Sequence, residues 1–394
     1  SGEPVPLSAT EVTLTTTSAS NPTVAIAPRT GTVYVAWVGT TEGESNVHLA
    51  RVEDGITMEP VRVNDVPGDA APHPQAPAKV AVGPEGDVYV VWQNNTIVEG
   101  RRFPASDLRF ARSTDGGRTF EPAIHVNDDA GGPPASHTFH DLAVASDGTV
   151  YVSWIDGRRR ATSEDDDDGG PDIRLARSTD GGRSFAPSVV VDEDACPCCR
   201  TSVAVGPDGV VYVAWRKIFP GNVRDIVVAR SDDGGHTFYP PVRVHEDGWV
   251  IDGCPHAGPA VTVDGRGRVH VAWYTGAEGR AGIHYAVSTD GGASFGRPVP
   301  LTAVNGIATS QVKAAGDDGA AWLAWEDRSA GGRTPRPTRA GRGGLRDVAE
   351  PAASGLLPEI AVEGTRIALA WQDGEAVRLA VYEHVLPTRG DDDR

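Results

Sequence analysis

Residues 33–37 read VYVAW, and the run returns as VYVVW (88–92), VYVSW (150–154), VYVAW (211–215), VHVAW (269–273), AWLAW (321–325) and IALAW (367–371). Each is a short apolar run rich in β-branched and aromatic side chains that ends on tryptophan, the pattern of a buried strand. Successive tryptophans are separated by 46 to 62 residues, so the chain is a repeat array and not one conventional core. A second apolar run precedes most copies across a glycine-containing turn (KVAVGPEG 79–86, SVAVGPDG 202–209, EIAVEG 359–364), which predicts a hairpin. A third run follows (LRFARS 108–113, IRLARS 173–178, IVVARS 226–231, IHYAVS 283–288), and a fourth reads AIHVND (123–128), SVVVDE (188–193) or VRVHED (242–247).

Four antiparallel strands per unit, repeated seven times, predict an all-β fold: a seven-bladed β-propeller occupying residues 1–394 as a single domain. The last unit lacks a fourth strand, and the orphan run at about 10–17 supplies it, so the two ends of the chain close the ring and cover an edge. Six blades are the alternative, with the unit around Trp325 outside the ring because its outer strands, RTPRPTRAGRGGLRD, are degenerate. An acidic insertion is expected at about 157–172 and a frayed tail at 387–394.

The composition narrows the partners. With 54 acidic against 36 basic side chains and a net charge of −18, the balance argues against nucleic acid or an anionic membrane as the main partner, since both need a basic face. No apolar run approaches the ~20 residues that span a bilayer. The N-terminal SGEPVPLSAT lacks the charged and apolar regions of a signal peptide, and the expected setting is extracytoplasmic or secreted, as a monomer, with a leader absent from this chain.

Between third and fourth strands one turn recurs: STDGGRTF (113–120), STDGGRSF (178–185), SDDGGHTF (231–238) and STDGGASF (288–295). Asp115, Asp180, Asp233 and Asp290 can accept backbone N–H bonds across it, and the paired glycines allow positive φ. This S-x-D-x-G-x-[ST]-F repeat resembles the Asp-box, or BNR repeat, of sialidases and sialidase-like propellers. The resemblance implies a structural role for these aspartates, on the face opposite an active site. It does not carry over sialidase chemistry: the family's F/Y-R-I-P motif is missing where SNPTVAIAPRTG stands, and Tyr382 and the scattered arginines match no pattern, so a conventional exo-sialidase is not expected.

All four cysteines lie in DACPCCRT (194–201) and DGCPHAG (252–258). Aligning the blades on their first strands puts Cys196 in one column with Cys254 and His73, and Cys198 in another with His256 and His137. In a propeller these loops converge on the channel mouth, opposite the aspartate turns, which gathers Cys196, Cys198, Cys199, Cys254, His256, His137, His73 and His140 as candidate metal ligands. Thiolate and imidazole select soft ions. Copper is favoured over zinc because the spacing is not that of a compact structural zinc site. The competing reading is a disulfide clip between Cys196 or Cys198 and Cys254, or a vicinal Cys198–Cys199 bridge. It leaves the histidines in the same columns unexplained.

Loops leaving the tryptophan strands reach the same face with Asp156, Arg158, Arg216, Lys217, Glu326, Asp327, Arg328 and Asp373, a rim suited to a small-molecule or glycan ligand. Asp156 with Glu326 or Asp327 is a candidate acid/base pair, and Arg200 is the basic residue expected to reach the pocket. If the protein is an enzyme, a metal-dependent oxidoreductase or hydrolase is expected. A glycan-binding protein or glycoside hydrolase clipped by disulfides is the alternative, and a protein-interaction scaffold the third. The run SEDDDDGGPD (163–172) offers carboxylates to calcium without the alternating spacing of a dedicated loop.

Overall fold

The computed structural model describes residues 9–15, 18–101, 103–159, 170–302, 311–327, 333–341, 344–347 and 354–383. They form seven antiparallel sheets arranged as a seven-bladed propeller. Blade 1 holds Ala19–Ile26, Val33–Thr41 and Glu44–Glu53, with the two-residue strands Ile56–Thr57 and Val61–Arg62 both pairing the third. The inner strands of blades 2 to 7 are Lys79–Val82, His137–Val144, Ser202–Val205, Ala260–Val263, Val312–Gly316 and Leu356–Glu363. These inner strands neighbour one another in cyclic order, the last against the first.

Blade 7 is completed by Ala9–Thr15, which pairs antiparallel with Ala376–Glu383, as the sequence predicts. The unit around Trp325 is a full blade: Thr334–Gly341 and Gly344–Asp347 pair despite their irregular composition, so the ring has seven members and not six. Most fourth strands are only two residues long, as at Ile124–His125 and Val242–Arg243, shorter than the sequence runs suggest. The acidic run from 163 to 169, Arg328 and the tail 387–394 lie outside the described residues.

Apolar burial falls into seven clusters, each between two successive blades. The fully buried Trp92, Trp154, Trp215, Trp273, Trp322 and Trp371 are the largest members, and their strands read as continuous apolar runs because both faces are packed. The aspartate turns join these interfaces. Asp115 accepts the backbone N–H groups of Arg118 and Thr119 at 3.0 Å and the Thr119 hydroxyl at 2.7 Å, and Asp180, Asp233 and Asp290 repeat the bonds to the residues at their own turns.

The turn of each blade sits on the tyrosine of the preceding one. Gly117 has φ +75°, and a Cβ there would lie 2.9 Å from Leu49 and 3.0 Å from Tyr34, both of blade 1. Glycine is required by both the dihedral and the contact. Arg112, Arg177 and Arg230 donate across the same interfaces to the carbonyls of Gly181, Gly234 and Gly291. The repeat therefore ties blade to blade and contributes nothing to the opposite face.

Candidate functional site

The loop before blade 4 is pinned on both sides. Cys196 N donates to the Arg216 carbonyl at 2.8 Å, Ala195 forms a bridge with Lys217, and Thr201 N donates to the Phe139 carbonyl of blade 3 at 3.0 Å. Cys196, Cys198 and Cys199 are consequently buried, within the apolar cluster between blades 3 and 4. The loop before blade 5 packs against it so closely that a Cβ at Gly258 would lie 2.3 Å from the Arg200 carbonyl oxygen.

Two arginines join the loops. Arg224 Nη1 donates to the Gly253 carbonyl at 2.8 Å and stands 3.5 Å from Cys196 Sγ. Arg216 is buried and donates to the carbonyls of Ala257, Arg224 and Tyr274.

This packing produces two overlapping sets of soft donors. Cys196, Cys198 and Cys199 have ligand atoms within 4.8 Å of one another, and so do Cys198, Cys254 and His256. Cys198 is common to both. The first set is buried, whereas Cys254 and His256 are exposed. Cys196 Sγ lies 3.2 Å from Cys199 Sγ and 3.8 Å from Cys198 Sγ, and all four cysteines are free thiols.

Hydrogen bonds with Cys198 and then Cys199 hold Cys196 far below the usual thiol range, against its burial and with help from Arg216. Burial and then Cys196 push Cys199 up to about 12, and the Cys196 and Cys199 hydrogen bonds raise Cys198. The three thiols are thus linked through their sulfurs, and loading them with metal must release protons.

The remaining expected ligands are elsewhere. His137 is buried in a polar network, with Nδ1 2.6 Å from the Ser106 carbonyl oxygen and Nε2 3.1 Å from Asp129 Oδ2 and 3.6 Å from Asp156. Burial opposes its charge, but the Asp129 bond and Asp156 outweigh it and raise its pKa. His137 leaves the ring because the inner strand of blade 3 begins there, paired with Asp156, and bulges at Phe139, whose φ is 57°. His73 packs edge-on to Phe139, its pKa lowered by burial and then by nearby His256, outside both donor sets.

His140 is fully buried beside Lys79, and burial brings its pKa down from 6.5 to about 4. The unfolded chain therefore takes up this proton first. Stability is complete above about pH 6.5 and falls as the pH drops toward 4, by up to about 3 kcal/mol from this group. Melting temperatures of the wild type and His140→Phe are expected to diverge across that window, the variant showing the shallower fall; parallel profiles would remove His140 as the cause.

The expected acid/base pair is not assembled. Asp156 is fully buried and accepts from Trp154 Nε1 at 2.8 Å and from Arg158 at 2.9 Å, within blade 3. Asp327 pairs with Arg336 at 2.7 Å. Asp373 pairs with Arg378 and Lys217 with Asp192. Arg200 does not reach the mouth: it is buried in the channel and donates to the Val312 carbonyl.

Glu326 alone of the three acids lines the channel-mouth cleft, a volume of ≈ 520 Å³, where Asn21, Gln75, His256, Gln311 and Arg333 also face. His256 thus belongs to both the cleft and the outer donor set. Arg224, which positions the cysteines, escapes sequence reasoning, and Arg216, expected on the rim, is instead buried beside them; their place opposite the cysteine loops on the second and third strands of blade 4 is the available signal.

No protein-family model matches the sequence, and no curated protein matches it. Solved structures do. An ulvan lyase of a new polysaccharide lyase family, bound to -[GlcA(1-4)Rha3S]-, superposes with TM-score 0.59 at 12% identity over 94% of this chain and 95% of its own. The Penicillium chrysogenum α-L-arabinanase complexed with arabinobiose gives 0.52 at 15%, covering 95% and 98%. A Hadza microbial sialidase gives 0.51 at 14%, covering 89% and 76%. These three are named as a polysaccharide lyase, an arabinanase and a sialidase, and at these identities the likeness is one of fold. The chain is a β-propeller of seven blades, similar in fold to sialidase-like propellers.

Proposed function

We propose that the channel mouth binds soft metal, copper(I) ahead of zinc, through Cys196, Cys198 and Cys199 with Cys254 and His256 as an outer extension. The observation that carries this reading is the pair of donor sets sharing Cys198. Three sulfurs with a guanidinium 3.5 Å from one of them suit a three-coordinate soft monovalent ion. Zinc prefers four ligands, and the arginines compensate the greater negative charge that a monovalent ion leaves on three thiolates. An extracytoplasmic setting, where copper is handled oxidised and reduced, accords with both the metal and the neighbours' glycan-directed activities.

Anaerobic titration with copper(I), followed by elemental analysis, tests the reading. Two equivalents are expected, falling to one in His256→Ala. Failure to retain copper through gel filtration, together with four oxidised cysteines, would end it.

The cleft supports a second reading, a carbohydrate bound beside the metal. Its amide-rich lining of Gln75, Gln311 and Gln372 with Arg333 suits sugar hydroxyls, and the fold neighbours include a lyase and an arabinanase solved with saccharides. Glu326 is the only carboxylate lining it among the described residues, so the reading is binding and not two-carboxylate hydrolysis. A glycan array with the Arg333→Ala variant as control separates it from the metal reading.

A further inference from the structure

Aligning the seven inner strands on the residue opposite the one before each blade tryptophan places Lys79, Asp141, Lys313 and Glu359 at equivalent positions around the channel. Their side chains are nearly buried and linked: Lys79 Nζ lies 3.2 Å from Asp141 and 3.3 Å from Glu359, and Lys313 contacts Glu359. Arg200 joins them from the blade 4 loop, facing the same cavity of ≈ 150 Å³. Among the described residues lining that cavity, three cations stand against two carboxylates, a net charge of +1.

A buried excess charge is costly unless neutralised. A counter-ion entering, or one cation losing its proton, would neutralise it. Burial, then Arg200 and Lys79, lower the pKa of Lys313, and a counter-ion beside it would relieve that pressure. The neighbouring void that leads up to the cleft is a constriction of ≈ 10 Å³ lined by Arg200, Lys313, Glu359, Pro74 and Pro77, which favours a small ion over a bulky one.

We propose that the channel cavity beneath the cleft is a binding site for one small monovalent anion of chloride size, held by Lys79, Lys313 and Arg200. The anion completes the charge balance of the layer that joins blades 2, 3, 4, 6 and 7. Larger carboxylates of a cleft ligand are held above the throat and do not replace it.

Thermal melting of the intact protein in sodium chloride, compared with sodium gluconate at equal ionic strength, tests the site. Gluconate is too large for the throat. Chloride is expected to raise Tm saturably by roughly 2–5 °C over gluconate. Lys313→Met removes the excess charge and should abolish that difference. Equal melting of the wild type in both salts, or an unchanged chloride increment in Lys313→Met, overturns the proposal. If the variant does not fold, crystals of the unmodified protein soaked in sodium bromide decide: an anomalous peak touching Lys79, Lys313 and Arg200 supports the site, and an empty cavity at saturating bromide refutes it.

Discussion

Replacing Cys198 by serine is expected to abolish soft-metal loading at both halves of the channel-mouth cluster, whereas Cys254→Ser or His256→Ala removes only the outer half. The asymmetry follows from geometry, since Cys198 alone belongs to both donor sets. Loss of one of three sulfurs leaves two donors for the buried ion, and affinity should fall by well over the roughly 100-fold typical of losing an outer-shell partner. Cys196→Ser should act like Cys198→Ser on the buried ion but leave the exposed set intact. Protons released on loading, measured by titration in weakly buffered solution, should drop in parallel, because each thiol that binds the metal gives up its proton. Cys198→Ala guards against a packing artefact, since a serine hydroxyl buried without a partner costs about 1–3 kcal/mol by itself. Should Cys198→Ser retain full copper while Cys254→Ser does not, the buried set is not a metal site. Should denatured wild type show no free thiols, the disulfide clip is the better reading.

The legible part of this molecule is the part that repeats. The tryptophan strands announce themselves because each is packed on both faces, and seven of them with a spare N-terminal strand leave little freedom in topology. Column alignment correctly paired Cys198 with His256, which meet, yet placed His137 beside them, where it is not. The difference is one bulge. Phe139 takes φ 57°, and the equivalent Asn21 and Leu357 of blades 1 and 7 take 52° and 53°, none of them glycine, so among the residue types only Asn21 hinted at the turn.

The rim acids failed for another reason. Asp156, Asp327 and Asp373 each find an arginine within their own blade, and a sequence does not say which charges are already paired. The charged layer around the channel was readable from the same alignment, since Lys79, Asp141, Lys313 and Glu359 fall in one column. It needed only to be read down the strands and not down the loops.

A chain beginning at Ser18, which lacks the closing strand, is expected to be destabilised by about 3–5 kcal/mol and to aggregate on standing. The strand Ala9–Thr15 pairs along Ala376–Glu383 from Ala9 opposite Tyr382 to Thr15 opposite Val377, with an irregularity between Thr13 and Thr15. Leu14 is buried with Trp37, Val377 and Leu379 at the interface of blades 7 and 1. Arg378 Nη1 donates to the Thr13 hydroxyl at 2.7 Å. Removing the strand therefore takes away an apolar contact, a ladder of backbone bonds and the cover of an apolar edge together. Leu14→Ala loses only the first and should cost about 2 kcal/mol. The ordering is the test: Tm should fall by roughly 5–10 °C in the truncated chain and less in Leu14→Ala, with light scattering rising only in the former. A synthetic peptide of residues 9–15 added in trans should recover part of the loss by β-augmentation of the open edge. Equal melting of truncated and intact chains would mean that the ring is held by its six other interfaces and that the terminal strand adds no closure.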